Sequence, residues 1–120
     1  MFDHIQVKVK DLKSSKRFYT AALAPLGLSV QYEGGGAVGF GPKGAPALWL
    51  GEGESRGSVH IAFAAKDRDA VKAFYAAAVP AGGKDNGAPG LRPDYHANYY
   101  AAFVKDPDGN NIEAVCHRQQ

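Results

Sequence analysis

Residues 4–11 read HIQVKVKD, and residues 60–67, which lie 56 positions further along the chain, read HIAFAAKD. The similarity extends beyond these stretches, because ten of the 24 positions in 4–27 are identical to their counterparts in 60–83. Ordinary residue frequencies would give roughly one or two matches by chance. The chain therefore contains two copies of one structural unit.

Each copy begins with the pattern of a strand followed by a helix. Apolar residues alternate with other residues in both opening stretches, which is typical of a half-buried strand. Asp11 and Asp67 follow these strands and are suited to be helix N-caps. In the second copy, apolar residues then recur at helical spacing until Pro80, which ends the helix. Further strand-like runs, separated by turn residues, are Leu28–Glu33, Ala37–Phe40, Ala47–Leu50, Asn98–Lys105 and Asn111–His117.

The two copies predict an α+β fold made of two βαβββ modules. We expect module one to span residues 1–51 and module two to span residues 57–118, with residues 52–56 as a linker within a single domain of 120 residues. Each module is too small to be stable alone. The modules must therefore pack together or against a second chain.

Composition and charge exclude several classes of protein. The 14 basic and 12 acidic residues leave a formal net charge of +2, which is too small and too scattered to indicate a nucleic-acid or membrane partner. No apolar stretch approaches the roughly 18 residues that span a bilayer, and residues 1–4 lack the pattern of a signal peptide. The single cysteine, Cys116, excludes an intrachain disulfide and suits a reducing compartment. A cytoplasmic protein is expected.

Strand alternation places three candidate metal ligands on one side of the predicted sheet. His4 and His60 point away from the branched apolar residues of their strands, which the helices must cover. Glu113 alternates with Ile112 and Ala114 and can point the same way, and an unpaired charge in so apolar a run would be costly. Two imidazoles and a carboxylate suit one divalent metal, with Fe(II), Mn(II), Ni(II) and Zn(II) all compatible.

Module two contains an insertion. Aligning the turn 41–44 with the turn 106–109 requires an offset nine residues larger than that of the opening repeat, so the extra residues lie between Gly83 and about Tyr99. Their composition suits an anionic or oxygen-rich substrate, and a solvated loop with aromatic packing is an equal alternative. The candidates are His96 and Tyr99 for proton transfer, and Arg92, Tyr95, Tyr100 and Trp49 for binding a small-molecule substrate. His117 lies on the Glu113 face, but it is close to the chain end, and we expect it to have no functional role.

The repeated strand-His-helix unit and the ending Asp106-Pro107-Asp108-Gly109-Asn110-Asn111-Ile112-Glu113 resemble the vicinal oxygen chelate superfamily. This superfamily includes glyoxalase I, bleomycin and fosfomycin resistance proteins and extradiol dioxygenases, and the resemblance covers essentially the whole chain. It implies a cupped mixed sheet with helices on the outer face, around a metal at positions matching His4, His60 and Glu113. It also implies a homodimer, in which the cup takes modules from one chain or from two.

Two features depart from particular members of the superfamily. Glyoxalase I takes a fourth ligand, a carboxylate, from the last strand of module one, but the repeat alignment places Leu48 opposite Glu113, with Trp49 beside it. Glyoxalase I itself is therefore disfavoured. The similar closing signature of dioxygenases has an aliphatic residue and a tyrosine before the turn, where this chain has Ala102 and Phe103.

Two hypotheses about function follow. The first is a metal-dependent lyase, isomerase or ring-cleavage dioxygenase that acts on a small substrate with vicinal oxygens, which the metal binds as a Lewis acid. The second is a metal-free binding protein of the bleomycin-resistance kind, which sequesters a small amphipathic ligand in a dimer cleft lined by Trp49, Phe40 and tyrosines. The presence of all three candidate ligands favours the first.

Overall fold

The computed structural model describes residues 1–119 and contains two βαβββ modules in succession. Module one consists of β1 (Ile5–Val9), α1 (Leu12–Leu23), a short 3-10 turn (Ala24–Leu26), β2 (Ser29–Gly34), β3 (Ala37–Gly41) and β4 (Leu48–Glu52). Module two consists of β5 (His60–Ala64), α2 (Arg68–Ala78), β6 (Lys84–Leu91), β7 (Tyr100–Lys105) and β8 (Asn111–Cys116). The predicted α+β class and the two modules are confirmed.

Both helices begin at an aspartate that caps the first turn. Asp11 Oδ1 accepts the backbone N–H of Lys13 at 3.1 Å, and Asp67 Oδ1 accepts that of Ala70 at 2.8 Å. Such caps stabilise a helix by about 1 kcal/mol, because the first N–H groups have no partner inside the helix. The two predicted caps are confirmed. Among residues 1–119, no helix is long and apolar enough to cross a membrane.

Each module forms its own four-stranded mixed sheet. The strand orders are β1-β4-β3-β2 and β5-β8-β7-β6, so the two modules share one topology. The first and last strands of each module pair in parallel, and the other neighbours are antiparallel. One face of each sheet packs against its helix, and we call the other face the open face. The open faces carry the polar candidates of the site.

One hydrophobic core joins the two modules, because α1 and α2 pack against each other. Its largest fully buried side chains come from both halves of the chain and include Phe18, Tyr19, Phe40, Phe74 and Ile112. Burying aromatic and branched side chains of this size contributes roughly 1.5–3 kcal/mol each. The core therefore holds the two sheets in a fixed relation to each other.

A buried hydrogen bond also ties α1 to the last turn of module two. The Tyr19 hydroxyl donates to Oδ2 of Asp106 at 2.5 Å, and both side chains are buried. Oδ1 of Asp106 accepts the backbone N–H groups of Asp108 and Asn110, which fixes the shape of the turn. Burial and the neighbouring Asp106 charge raise the pKa of Tyr19, so its phenol remains a hydrogen-bond donor.

The segment before β7 differs from the prediction. Lys84–Leu91 forms β6 although glycine, proline, aspartate and asparagine dominate it, and strand propensity alone would not predict a strand there. β6 pairs with β7 in an irregular register, with shifts between Asp85 and Gly87 and between Gly87 and Gly90. Pairing with β7 therefore overrides the local preference. The loop before β7 is confined to residues 92–99.

Candidate functional site

Glu113 lies on the open face of the second sheet, in contact with His60. The register of β5, β8 and β7 aligns Ala62, Glu113 and Phe103 across the sheet. His60 is two residues before Ala62 and points to the same face, where its Nε2 lies 2.8 Å from Glu113 Oε1. Two of the three predicted metal ligands therefore lie side by side.

The Glu113 carboxylate is buried even though no helix covers this face. Its side chain is 2% exposed, whereas that of His60 is 55% exposed. Oε2 of Glu113 accepts a short hydrogen bond from the Tyr99 hydroxyl, so each carboxylate oxygen has one partner. Burial, and then the hydrogen bond to Glu113, raise the pKa of Tyr99 to about 12. The phenol is therefore protonated at neutral pH.

The loop 92–99 brings His96 against His117, which directly follows β8 at the end of the same sheet. Nε2 of His96 lies 2.6 Å from Nδ1 of His117, and the two rings stack with centroids 4.8 Å apart. Tyr99 packs edge-on against both rings, and Tyr95 packs edge-on against Tyr99. The sequence prediction assigned His117 no role, because its only signal was strand alternation with Glu113. The structure places it among the candidates.

Arg92 lies over Phe103, the register neighbour of Glu113. Its guanidinium carbon is 5.3 Å from the centroid of the Phe103 ring, and Nη2 donates to the carbonyl of Ala88 at 2.8 Å. Gly90 leaves room for this arrangement, since a Cβ there would come within 3.1 Å of Nη1. No carboxylate in residues 1–119 forms an ion pair with Arg92. A guanidinium that forms no ion pair among the described residues therefore lies over the strand neighbour of Glu113.

His4 is separate from this group within one chain. Its Nδ1 pairs with Asp3 at 2.6 Å, and its side chain is 58% exposed. In the described part of the chain, no three His, Cys, Asp or Glu side chains are close enough to hold a metal ion. One chain therefore does not assemble the predicted three-ligand centre. His4 and His60 do both line a cleft of about 490 Å³ at the start of β1 and β5.

The counterpart of Glu113 in module one is Trp49. The parallel register pairs Gln6 with Trp49, as it pairs Ala62 with Glu113 in module two. The prediction that Leu48 is the counterpart is therefore wrong by one residue. Tryptophan, like leucine, has no carboxylate, and its indole is not a metal ligand. The expectation that module one supplies no ligand at this position is therefore unaffected.

The incorrect alignment of Leu48 with Glu113 comes from two turns of equal length, one between β3 and β4 and one between β7 and β8. The residue types in these turns are offset. The backbone N–H of Ala45 bonds to the carbonyl of Pro42, and that of Gly109 bonds to the carbonyl of Asp106, so the two turns start at equivalent places. Proline and glycine stand one position later in the second turn. Aligning the turns on these residues therefore shifts the register by one, and the insertion in module two amounts to eight residues instead of nine.

Trp49 forms an aromatic patch on the open face of the first sheet. Its ring lies over Gly39, where a Cβ would come within 2.9 Å of the indole, and its centroid is 5.5 Å from that of Tyr32. Glu52, at the end of the same strand, accepts the backbone N–H of Leu12 at 3.1 Å. Module one thus presents an aromatic surface where module two presents a carboxylate.

Tyr100, predicted to bind substrate, lies on the other face of its sheet. It pairs in register with Cys116 and packs against the hydrophobic core. The guanidinium of Arg68 lies 5.0 Å from the centroid of its ring. The structure therefore separates Tyr100 from Tyr99 and Glu113, and the prediction for Tyr100 is wrong. Adjacent strand residues point to opposite faces, so only one of the two neighbouring tyrosines can reach the site.

Comparison with known structures finds the same architecture in other proteins. A glyoxalase/bleomycin resistance protein from Albidiferax ferrireducens T118 is 31% identical, with a TM-score of 0.84 over 97% of this chain and 98% of that one. A glyoxalase/bleomycin resistance protein/dioxygenase family enzyme from Burkholderia phytofirmans PsJN shares the fold at 17% identity, with a TM-score of 0.76 over 97% and 98% of the chains. A glyoxalase I mutant from Zea mays shares it at 23% identity, with a TM-score of 0.70 over 95% of this chain and 45% of that one.

Sequence comparison identifies the family. No curated protein gives a significant match. The family model described as Glyoxalase/Bleomycin resistance protein/Dioxygenase superfamily matches residues 1–114, which is nearly the whole chain. The duplicated module, the closing hairpin and this match agree, and the chain belongs to the Glyoxalase/Bleomycin resistance protein/Dioxygenase superfamily.

Proposed function

We propose that this protein is a divalent-metal-dependent enzyme that acts on a small substrate with adjacent oxygen atoms. Its superfamily contains enzymes, glyoxalase I among them, and also proteins without enzymatic activity. The observation that carries the proposal is the contact between His60 and the buried carboxylate of Glu113. A buried charge needs compensation, and imidazole with carboxylate is a donor set for Fe(II), Mn(II), Ni(II) or Zn(II).

His4 of the partner subunit would complete the ligand set. His4 holds the position in module one that His60 holds in module two, yet within one chain it is separate from Glu113. A homodimer that places module one of one chain against module two of the other would bring the two open faces together. Phe2 and Ile5 are 79% and 36% exposed and line the cleft that His4 and His60 also line, so this end of β1 and β5 offers apolar surface to a partner subunit.

The residues around Glu113 would bind and protonate the substrate. A bound metal would supply Lewis-acid polarisation of the two substrate oxygens. If a metal held the Glu113 carboxylate, the Tyr99 hydroxyl, which is protonated at neutral pH and donates to Glu113, would become available to donate a hydrogen bond or a proton to a substrate oxygen. Arg92 has no carboxylate partner among the described residues and can bind an anionic group, while Tyr95 and His96 support Tyr99 by ring packing.

Three protein ligands would leave positions at the metal for both substrate oxygens. Trp49 cannot ligate, and the Glu52 carboxylate is bonded to the N-terminus of α1, so module one offers no further oxygen ligand from β4. This arrangement favours lyase, isomerase or ring-cleavage dioxygenase chemistry on a chelated substrate.

A second candidate function is a metal-free binding protein that sequesters a small amphipathic ligand. The observation in its favour is the pairing of Trp49 with Tyr32 on an open sheet face, because such aromatic surfaces bind apolar groups. Phe40, which the sequence suggested for the same cleft, lies on the helix-covered face of its sheet and lines the cleft beside His4 and His60 instead. Binding an amphipathic ligand does not require a buried carboxylate, so this alternative leaves Glu113 unexplained and is the weaker of the two.

Metal analysis of protein purified without a histidine tag tests the proposal. Wild-type protein should carry up to one divalent ion per chain, and His4→Ala, His60→Ala and Glu113→Gln should each lose it. His96→Ala removes an imidazole from the same face but outside the ligand set, so it serves as the matched control and should keep the metal. Wild-type protein that binds no divalent ion at all would favour the binding-protein alternative.

Co-expression of two variants tests whether the site is shared between chains. If His4 and Glu113 meet across the dimer, a heterodimer of His4→Ala and Glu113→Gln chains contains one complete site and one site that lacks both ligands. The isolated heterodimer should then bind half as much metal as wild-type protein. A heterodimer without metal would contradict the shared site, because each variant chain lacks one ligand of its own. Light scattering should show a dimer.

A further inference from the structure

Both ring nitrogens of His96 already have hydrogen-bond partners. Nδ1 accepts the backbone N–H of Asn98 at 3.2 Å, so in the neutral ring this nitrogen carries no hydrogen. The hydrogen is therefore on Nε2, which donates to Nδ1 of His117 at 2.6 Å. Neither nitrogen of His96 is free to exchange a proton with a substrate.

The same contacts determine which ring nitrogen of His117 carries the hydrogen. Because its Nδ1 accepts from His96, the neutral ring carries its hydrogen on Nε2. Within residues 1–119, no protein group accepts a hydrogen bond from this nitrogen. His117 follows Glu113 by four residues, so strand alternation places it towards the Glu113 face, and its ring centroid is 5.2 Å from that of Tyr99.

We infer that His117, and not His96, is the imidazole that contacts the substrate, and that its Nε2–H donates a hydrogen bond to a substrate oxygen. His96 is then a positioning residue that fixes the tautomer of His117. The inference rests on the proposed function only for the oxygen-rich nature of the substrate. A neutral N–H held in advance at this place stabilises negative charge that develops on an oxygen atom.

A role of His117 as a proton acceptor is disfavoured by the same network. To accept at Nε2, the neutral ring would have to carry its hydrogen on Nδ1, which faces the N–H of His96. His96 would then have to move its own hydrogen to Nδ1 and lose the bond from Asn98. Two tautomer changes and one broken hydrogen bond oppose this state.

Nuclear magnetic resonance tests the tautomers without requiring metal or turnover. The chain has four histidines, so multiple-bond proton–nitrogen spectra of metal-free protein can be assigned with single variants. At a pH where the rings are neutral, His96 and His117 should both carry hydrogen on Nε2. In His96→Ala, His117 should revert to a mixture of tautomers. Hydrogen found on Nδ1 of either ring in wild-type protein would overturn the inference.

Binding of inorganic phosphate to metal-free protein tests the donor role. His117→Leu removes the donor and should weaken phosphate binding by roughly three- to tenfold, the usual worth of one hydrogen bond. His117→Gln keeps both an acceptor for His96 and an N–H donor, so it should bind nearly as well as wild-type protein. Equal affinity in wild-type and His117→Leu proteins, or equal weakening by both substitutions, would contradict the inference. In a separate metal-loading experiment both variants should bind as much divalent metal as wild-type protein, which separates this test from that of the metal centre.

Discussion

Trp49 and Glu113 occupy equivalent positions in the two modules, with an indole ring in one sheet where the other has a carboxylate. The histidines His4 and His60 are equivalent as well, so the two modules share the histidine and differ at the position of the carboxylate. Module two therefore presents a carboxylate at this position, and module one presents an aromatic surface.

Trp49→Glu should create a fourth ligand beside His4. The repeat places His4 and residue 49 in the relation that His60 and Glu113 have, so the new carboxylate should reach the metal. Competition with a chelating dye should show that affinity for Zn(II) rises by at least about tenfold, equivalent to ~1.4 kcal/mol. Trp49→Leu removes the indole without adding an oxygen and is the control. If Trp49→Glu binds Zn(II) no more tightly than Trp49→Leu does, the equivalence of positions 49 and 113 is refuted.

Glu113→Gln should lower the pKa of Tyr99. Burial raises this pKa first, and the hydrogen bond to the Glu113 carboxylate and its charge raise it further, to about 12. Without the charge, the pKa should fall part of the way towards the ordinary value of about 10. The measurement is the phenolate absorbance of metal-free protein during alkaline titration, with Tyr99→Phe in each background as the blank. An unchanged titration would mean that the carboxylate does not contact this phenol in solution.

Tyr99→Phe should destabilise the metal-free protein by about 1–3 kcal/mol, because a buried Glu113 oxygen would lose its donor. Tyr95→Phe is the matched control from the same loop. Tyr95 is 63% exposed and contacts Tyr99 through its ring, so its hydroxyl should contribute less than about 0.5 kcal/mol. Urea unfolding of the three proteins gives both differences. Equal stabilities of the two variants would count against the Tyr99 contact.

Gly27 and Gly83 match in the repeat, but they should resist alanine for different reasons. Gly27 has φ 80°, and a Cβ added there would have no neighbouring atom within 4 Å, so Gly27→Ala should cost only about 1–2 kcal/mol of backbone strain. At Gly83 a Cβ would lie 2.5 Å from Val104 and 2.7 Å from Phe18, so Gly83→Ala must displace the core. Overpacking typically costs about 1–3 kcal/mol or more. Thermal unfolding should rank Gly83→Ala as the less stable variant, and the reverse order would be inconsistent with this packing.

Local patterns were sufficient to predict the modules and the helix caps. Alternation in β1 and β5, and the aspartates that follow them, act over a few residues, so the sequence alone indicates them. The same alternation predicted that His60 and Glu113 share a face. It also explains why Tyr99 and Tyr100 cannot both belong to the site, although residue types alone did not separate them.

The remaining features depend on contacts between distant residues. β6 exists because β7 supplies its hydrogen bonds, and its own residues favour turns. The bond between His96 and His117 joins a loop to the end of another strand, 21 residues later. Nothing in either local sequence predicts such a contact. The register of Trp49 was missed for a similar reason, because turn residues are a poorer guide to alignment than strand pairing is.

The hydrogen bond between Tyr19 and Asp106 bears on how the chain unfolds. It joins residues 87 positions apart, one in each module, inside a core that both modules share. Neither half can lose its structure without exposing apolar surface and an unsatisfied buried group in the other, so melting is expected to be a single cooperative transition. The duplicated halves are thus repeats in sequence but not independent in stability, and a fragment containing only one of them should remain unfolded on its own.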